Sequence, residues 1–159
     1  MLTRRLPPPA GWVLRPAEAA DAPVLAQLCI AHAAYEHIAH NPEGHAQRLA
    51  EALETGGLLI WLGLLEGKAV GYASATHDFS TLAARPFLHL DCLYLEAHAR
   101  GLGLGGMLIE AVWKHATGQG YDQMQWQTPN WNAAAIRFYD RLGATRLDKQ
   151  RYTLNLAAA

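Results

Sequence analysis

The segment most suited to chemistry is a glycine-rich run that would bind an anion through its main chain. It reads Arg100-Gly101-Leu102-Gly103-Leu104-Gly105-Gly106, and a stretch with the apolar spacing of a helix follows it. Glycine allows positive φ angles and lets a ligand approach the backbone closely. The first N–H groups of a helix are free to donate, and the helix dipole favours negative charge there. The segment therefore predicts a site for a pyrophosphate.

Two other phosphate-binding motifs fit the same run less well. Gly101, Gly103 and Gly106 have the G-x-G-x-x-G spacing of dinucleotide-binding folds. However, Glu96 to Arg100 separate the preceding strand from the first glycine, and Asp122 precedes its strand, where a ribose-binding acid would follow one. The nucleoside-triphosphate loop is excluded because Lys and Ser/Thr do not follow the last glycine. A dinucleotide-dependent oxidoreductase is therefore an alternative function, but the position of the first glycine and that of Asp122 both argue against it.

A second motif lies downstream, and the two together indicate a family. It reads Asn132-x-x-Ala135-Ile136-x-Phe138-Tyr139-x-x-Leu142-Gly143-Ala144, and it lies downstream of Arg100-x-x-Gly103-x-Gly105. Over roughly residues 58–156 the chain resembles the GNAT acetyltransferase superfamily. The resemblance implies that acetyl-CoA is the cofactor. It also implies that the cofactor is held by the glycine-rich run Arg100 to Gly106, by Leu93, Tyr94 and Leu95 of the preceding strand, and by Asn132, Ala135, Phe138 and Tyr139.

Moving an acetyl group from a thioester to an amine requires an acid, an oxyanion donor and a base. The resemblance assigns the acid to Tyr139, whose phenol can protonate a thiolate for about 2 kcal/mol. A backbone N–H freed by a bulge near Cys92 and Leu93 would serve the oxyanion. Asp91 is the implied base, with His77 and His89 as alternatives. Each of these residues has an alternative role. Tyr139 would pack in the core, Asn132 would cap a helix N-terminus, and Asp91 would be a solvated carboxylate.

Further residues resemble the diamine and polyamine acetyltransferase branch of that superfamily. They are Trp131-Asn132, Arg141 and Ala34-Tyr35-Glu36, and they imply that Tyr35 and Glu36 face the substrate. Carboxylates at Glu36, Asp78 and Asp91 would attract a cationic amine, although the branch has Glu where Asp91 stands. We therefore expect direct acetylation, in a ternary complex, of a small diamine, polyamine or lysine-like amine. A peptide, protein or antibiotic amine is an alternative acceptor, and a non-catalytic CoA-binding sensor is an alternative of another class.

The pattern of apolar, glycine and proline residues predicts the order β-α-α-β-β-β-α-β-α-β. The predicted strands are Trp12–Arg15, Leu58–Leu65, Lys68–His77, Phe87–Leu95, Asp122–Thr128 and Arg151–Leu156. The predicted helices are Ala17 to about His40, Glu43–Thr55, Gly103–Thr117 and Asn132–Leu142. The result is an α/β fold with a mixed sheet, in which Phe87–Leu95 and Asp122–Thr128 are parallel neighbours. The GNAT-like fold implies a cofactor cleft where these two strands splay apart.

Composition limits the classes of partner. The chain has 159 residues and a formal net charge of −1, which argues against coating nucleic acid or anionic lipid. We expect one domain over residues 1–159, with residues 1–10 as a tail and no secretory signal or membrane span. Cys29 and Cys92 are expected to be reduced thiols of a cytoplasmic protein, and no metal site is expected. Many members of the superfamily form homodimers, and the resemblance implies the same here.

Overall fold

The computed structural model describes residues 6–156 and contains a five-stranded mixed sheet. The strands are β1 (Trp12–Pro16), β2 (Leu59–Leu65), β3 (Lys68–Ser80), β4 (Arg85–Leu95) and β5 (Met124–Gln125), and they lie in the sheet in chain order. The helices are α1 (Ala22–Tyr35), α2 (His45–Thr55), α3 (Leu104–Gly118) and α4 (Ala133–Arg141). Among the described residues, none of these helices has the length and apolar character of a membrane span.

The chain divides into two compact units. The first extends to Gln127 and contains the whole sheet with α1, α2 and α3, and the second starts at Thr128 and contains α4. The single domain expected over residues 1–159 therefore stays a prediction. Of the expected tail, residues 1–5 lie outside the described part, and so do the last three alanines of the chain. The described remainder begins with an exposed Leu6.

The first four strands pair antiparallel to one another, and the last pairing is parallel. β2 and β3 join through Glu66 and Gly67, which both have positive φ, so the two-residue connection suits a tight hairpin. β4 and β5 pair in parallel at only two positions, Leu88 with Met124 and His89 with Gln125. This pairing confirms that the two strands around α3 are parallel neighbours.

Two apolar clusters hold α1, α2 and α3 to the sheet. The cluster on the α1 and α2 side contains Leu25, Leu28, Ile60, Leu62, Tyr72 and Tyr94. The cluster on the α3 side contains Val70, Ala99 and Leu104, with Leu95 packed against it. Adjacent residues of a strand face opposite sides of the sheet, so on β4 Tyr94 packs in the first cluster and Leu95 packs against the second. A fully buried Leu or Val in these clusters, such as Leu62 or Val70, contributes about 1.5–3 kcal/mol.

Three predicted elements differ from the structure. The helix expected from Ala17 to His40 is a 3-10 turn at Ala19–Asp21 followed by α1. It ends early because His37 adopts a left-handed conformation, with φ of 58°, which interrupts the helix before Asn41-Pro42. The strand expected at Asp122–Thr128 is reduced to β5.

The third difference is the last strand. The prediction of a strand at Arg151–Leu156 is wrong, because residues 143–156 contain no strand in the described chain, and Tyr152 and Leu154 are exposed there. A strand needs a neighbour whose backbone groups complete its ladder, and the described sheet ends at the two residues of β5. The α/β class and mixed sheet are nevertheless as expected, with the final strand missing from the order.

Candidate active site

A bulge in β4 sets the geometry of the site. Ser74 of β3 lies opposite Cys92, but the next residue, Ala75, lies opposite Leu90. Asp91 is therefore the extra residue, which confirms the bulge expected in this stretch. A bulge bends its strand and redirects a side chain. Here it leaves the Asp91 carboxylate 53% exposed, with Oδ1 3.6 Å from His89 Nε2.

Beyond the bulge, one edge of β4 has no neighbouring strand among the described residues. β5 pairs with Leu88 and His89 and then ends, whereas β4 continues to Leu95. The N–H of Glu96 donates to the carbonyl of Val70 at 2.8 Å, so it faces β3. Because directions alternate along a strand, the N–H groups of Leu93 and Leu95 face the opposite side, which β5 has left.

This alternation separates the three residues predicted to line the cofactor on β4. Leu93 and Leu95 present main-chain N–H groups to the open edge. Tyr94 directs its N–H to β3 instead, and its ring is buried in the cluster beneath α1. Two of the three backbone N–H groups, those of Leu93 and Leu95, therefore face an edge where a polar ligand could pair with β4 as an additional strand would.

The glycine-rich run forms an open turn at the start of α3. Gly101 and Gly103 have φ angles of 76° and 80°, and Gly103 is the N-cap of the helix. A Cβ built on Gly101, Gly103 or Gly106 would meet no described atom within 4 Å beyond the adjacent residues and the helix's own backbone. The fully buried side chain of Leu104 anchors the first turn of the helix. The N–H groups of Leu104, Gly105 and Gly106 thus lie at a helix N-terminus that has room for a ligand.

Arg100 links this turn to the sheet and to α1. Its Nε donates to the carbonyl of Leu95 at 2.8 Å. Its guanidinium carbon lies 4.4 Å from the ring centre of Tyr35 and 5.7 Å from that of Tyr94. The residue that precedes the glycines is therefore positioned by β4 and by two aromatic rings.

The C-terminal half of α1 carries a polar network that the sequence did not reveal. His32 is buried, its Nδ1 lies 2.7 Å from the hydroxyl of Tyr72, and its Nε2 lies 3.3 Å from Glu36 Oε1. Burial raises the pKa of Tyr72 far above its ordinary value, so the hydroxyl stays protonated and can donate to His32. With Nδ1 accepting, the Nε2–H is directed at the Glu36 carboxylate. Glu36, expected to face the substrate, is therefore held by His32.

The two cysteines lie beside the same tyrosine. Cys29 Sγ is 3.6 Å from the Tyr72 hydroxyl, and both thiols are free. Burial raises the pKa of the Cys29 thiol, and it raises that of Cys92 to about 12. Neither group is a thiolate near neutral pH, so neither has the character of a catalytic nucleophile.

Two predicted residues lie away from the bulge. Asp78 is on β3 opposite Phe87, and it accepts from the N–H of Phe79 at 2.8 Å. It is about 13 Å along β3 from Ser74, at roughly 3.3 Å per residue. His77 contacts the hydroxyl of Tyr121 at 2.8 Å. Of the alternative bases, the structure thus brings His89 to Asp91 and leaves His77 with an aromatic partner.

The downstream motif forms α4 in the second unit. The side chain of Asn132 accepts from the N–H of Ala135 at 3.2 Å, so Asn132 is an N-cap as the sequence allows. Phe138 and Tyr139 pack side by side, with ring centres 5.3 Å apart. Phe138 and Tyr139 are both partly exposed, whereas Asn132 is buried.

Comparison with known proteins gives consistent results. The acetyltransferase (GNAT) family matches residues 25–144. The chain is 26% identical over 130 residues to the uncharacterized N-acetyltransferase YhfO of Bacillus subtilis (strain 168), covering 82% of this chain and 87% of that protein. It is 23% identical over 117 residues to a thialysine N-epsilon-acetyltransferase of Caenorhabditis elegans, covering 74% and 72%.

Solved structures show the same fold. The crystal structure of a "probable acetyltransferase" aligns with a TM-score of 0.78 at 22% identity, covering 92% of this chain and 99% of the other. A "predicted acetyltransferase with acetyl-CoA" from Clostridium acetobutylicum aligns with a TM-score of 0.74 at 15% identity, covering 91% and 96%. At these identities the likeness concerns the fold.

Proposed function

The chain belongs to the acetyltransferase (GNAT) family and is an acetyl-CoA-dependent N-acetyltransferase, and from this premise we propose that its acceptor is a small cationic primary amine. The amine is a diamine, a polyamine or a lysine-like compound, and it attacks directly in a ternary complex. The observation that carries the proposal is the exposed carboxylate of Asp91, the bulge residue, which follows the last position of β4 that pairs with β5.

The described residues fit the cofactor. The open space at Gly101, Gly103 and Gly106 and the N–H groups that begin α3 suit a pyrophosphate, and Arg100 directly precedes this turn in the chain. Acetyl-CoA, when bound, supplies a thioester whose acetyl carbon an amine can attack. The N–H groups of Leu93 and Leu95 bind the amide-containing arm along β4. Further contacts from Leu102, Asn132, Ala135 and Phe138 are proposed on the family resemblance.

The proposed base is Asp91. A lysine-like amine has a pKa near 10.4, so its deprotonation at pH 7 costs roughly 4–5 kcal/mol. The exposed carboxylate attracts the ammonium group and accepts its proton at Oδ1 or Oδ2, directly or through a water molecule. A backbone N–H freed at the bulge donates to the acetyl oxygen.

The proposed acid is Tyr139. Its phenol Oη gives a proton to the departing sulfur, a role taken from the family resemblance of the Phe138-Tyr139 motif. We also propose, on the same resemblance, a homodimer in the cytoplasm. Support for the acceptor class comes from the relative named as a thialysine acetyltransferase and from the carboxylates of Glu36 and Asp91.

The test is thiol release from acetyl-CoA across a panel of amines. The panel contains diamines, polyamines, lysine and thialysine, with peptides and aminoglycosides as competing classes. We expect turnover with the small amines, a fall of kcat of about 10²-fold or more in Tyr139→Phe with CoA affinity unchanged, and a comparable fall in kcat/KM in Asp91→Asn. Asp148→Asn is the matched control, because Asp148 is an exposed aspartate to which no role in the site is assigned.

The alternatives give different results. Activity on peptides or aminoglycosides alone would refute the small-amine acceptor. Binding of CoA without thiol release from any amine would favour a sensor module. Wild-type activity in Tyr139→Phe would remove the proposed acid while leaving the reaction in place.

A further inference from the structure

Tyr35 contacts the arginine of the glycine-rich run and is thereby connected to the cofactor side of the site. It is the last residue of α1, and the guanidinium of Arg100 lies over its ring at 4.4 Å. The ring of Tyr94 lies 6.4 Å from that of Tyr35, and the same guanidinium is 5.7 Å from it. A guanidinium over aromatic faces at these distances is attracted to their π electrons.

The side chain of Arg100 has one hydrogen bond to the main chain beside its contact with the rings. The Nε–H is already committed to the carbonyl of Leu95 at 2.8 Å, which fixes the plane of the guanidinium. The terminal nitrogens carry the remaining N–H donors, and among the described residues the side-chain hydrogen bond of Arg100 is made by Nε alone. Gly101, the next residue, starts the open turn toward α3.

We propose that Tyr35 is a positioning residue that preorganises Arg100 for the pyrophosphate of the acetyl donor. An exposed arginine loses conformational freedom when it binds phosphate, and one that is already held loses less. The proposal rests on the proposed function, since it needs CoA as ligand. It differs from the role that the resemblance assigns to Tyr35, which is contact with the amine.

The experiment compares two acetyl donors. Acetyl-CoA carries the pyrophosphate and acetyl-pantetheine does not, so an effect through Arg100 must appear with the first alone. We expect Tyr35→Leu to weaken CoA binding, measured by calorimetry, by roughly threefold to tenfold. The KM for acetyl-CoA should rise in parallel, while the KM values for acetyl-pantetheine and for the amine stay unchanged.

Further variants separate this role from a structural one. Tyr35→Phe keeps the aromatic face and should bind CoA within about twofold of wild type. Tyr152→Leu, at a tyrosine that is 90% exposed, is the matched control and should bind normally. In an Arg100→Gln background, Tyr35→Leu should have no additional effect on CoA affinity, because the partner of the ring is gone.

The contrary results are distinct. A raised KM for the amine with unchanged CoA affinity would overturn the proposal and assign Tyr35 to the acceptor. An equal loss with acetyl-CoA and acetyl-pantetheine, or an additive loss in the Arg100→Gln background, would show a general structural effect and overturn it as well. Failure of the wild-type protein to bind CoA would instead defeat the proposed function on which the inference depends.

Discussion

Replacement of Gly103 by alanine provides a direct test of the pyrophosphate site. Gly103 has a φ of 80°, and a Cβ there would meet no described atom within 4 Å. An L-residue in this conformation costs about 1–2 kcal/mol, and the loss of glycine flexibility in the unfolded chain offsets about 0.4–1 kcal/mol of that. The free energy of unfolding should therefore fall by about 1 kcal/mol.

The matched control is Gly120→Ala. Gly120 has a φ of 78° and is equally free of described neighbours within 4 Å, but it follows the C-terminal end of α3. The two variants should show the same loss of thermal stability, about 2–4 °C for a chain of this length. Only at Gly103 does the new methyl group enter the space that we assign to the pyrophosphate.

The assay is CoA affinity by calorimetry beside thermal unfolding. Gly103→Ala should bind CoA at least about tenfold more weakly, which corresponds to about 1.4 kcal/mol, and Gly120→Ala should bind as the wild type does. Unchanged affinity in Gly103→Ala would refute the assignment of the turn to the pyrophosphate. Equal weakening in both variants would mean that backbone strain, and not the site, controls binding.

Two further predictions concern stability. The hydrogen-bonded guanidinium of Arg15 lowers the pKa of Asp21 below its ordinary 3.8, so this stabilisation is present above that pH and is lost as pH falls through the native value. The free energy of unfolding of Asp21→Asn at pH 7 should therefore be about 1 kcal/mol lower than that of the wild type. Urea titrations should show that this difference disappears in acid. In Gly71→Ala, the new Cβ would lie 2.5 Å from the backbone carbonyl oxygen of Tyr94, so we expect a loss of about 2 kcal/mol and a melting temperature lower by about 4–8 °C. Gly57→Ala, where the nearest atom is at 3.6 Å, should melt within about 2 °C of wild type, and equal melting of the two variants would contradict the reasoning.

The parts of the fold that sequence predicts well are those with local signals. The start of α3 after its glycines, the apolar stripe of that helix and the Asn132 cap each depend on neighbouring residues, and the structure confirms them. The bulge at Asp91 was also visible locally, because apolar residues become adjacent where strict alternation stops.

The parts that sequence missed depend on distant residues. The pair of His32 and Tyr72 joins positions 40 residues apart, and the contact of Arg100 with Tyr35 joins β4's loop to α1. The apolar alternation near Tyr152 suggested a strand, but alternation indicates only that a strand could form if a neighbour were present. The sequence also overestimated the length of β5, because the length of this strand depends on its pairing with β4.

The alternation of N–H groups along β4 has an evolutionary consequence. Leu93 and Leu95 would recognise the donor through amides that every residue type except proline possesses. Substitution of Leu93 can therefore alter what its side chain touches while the donor is still recognised, whereas Leu95 also packs in the cluster on the α3 side. The acceptor specificity of the enzyme could in this way change during evolution while binding of the acetyl donor is kept. Proline is the one residue type that would remove the N–H group at either position.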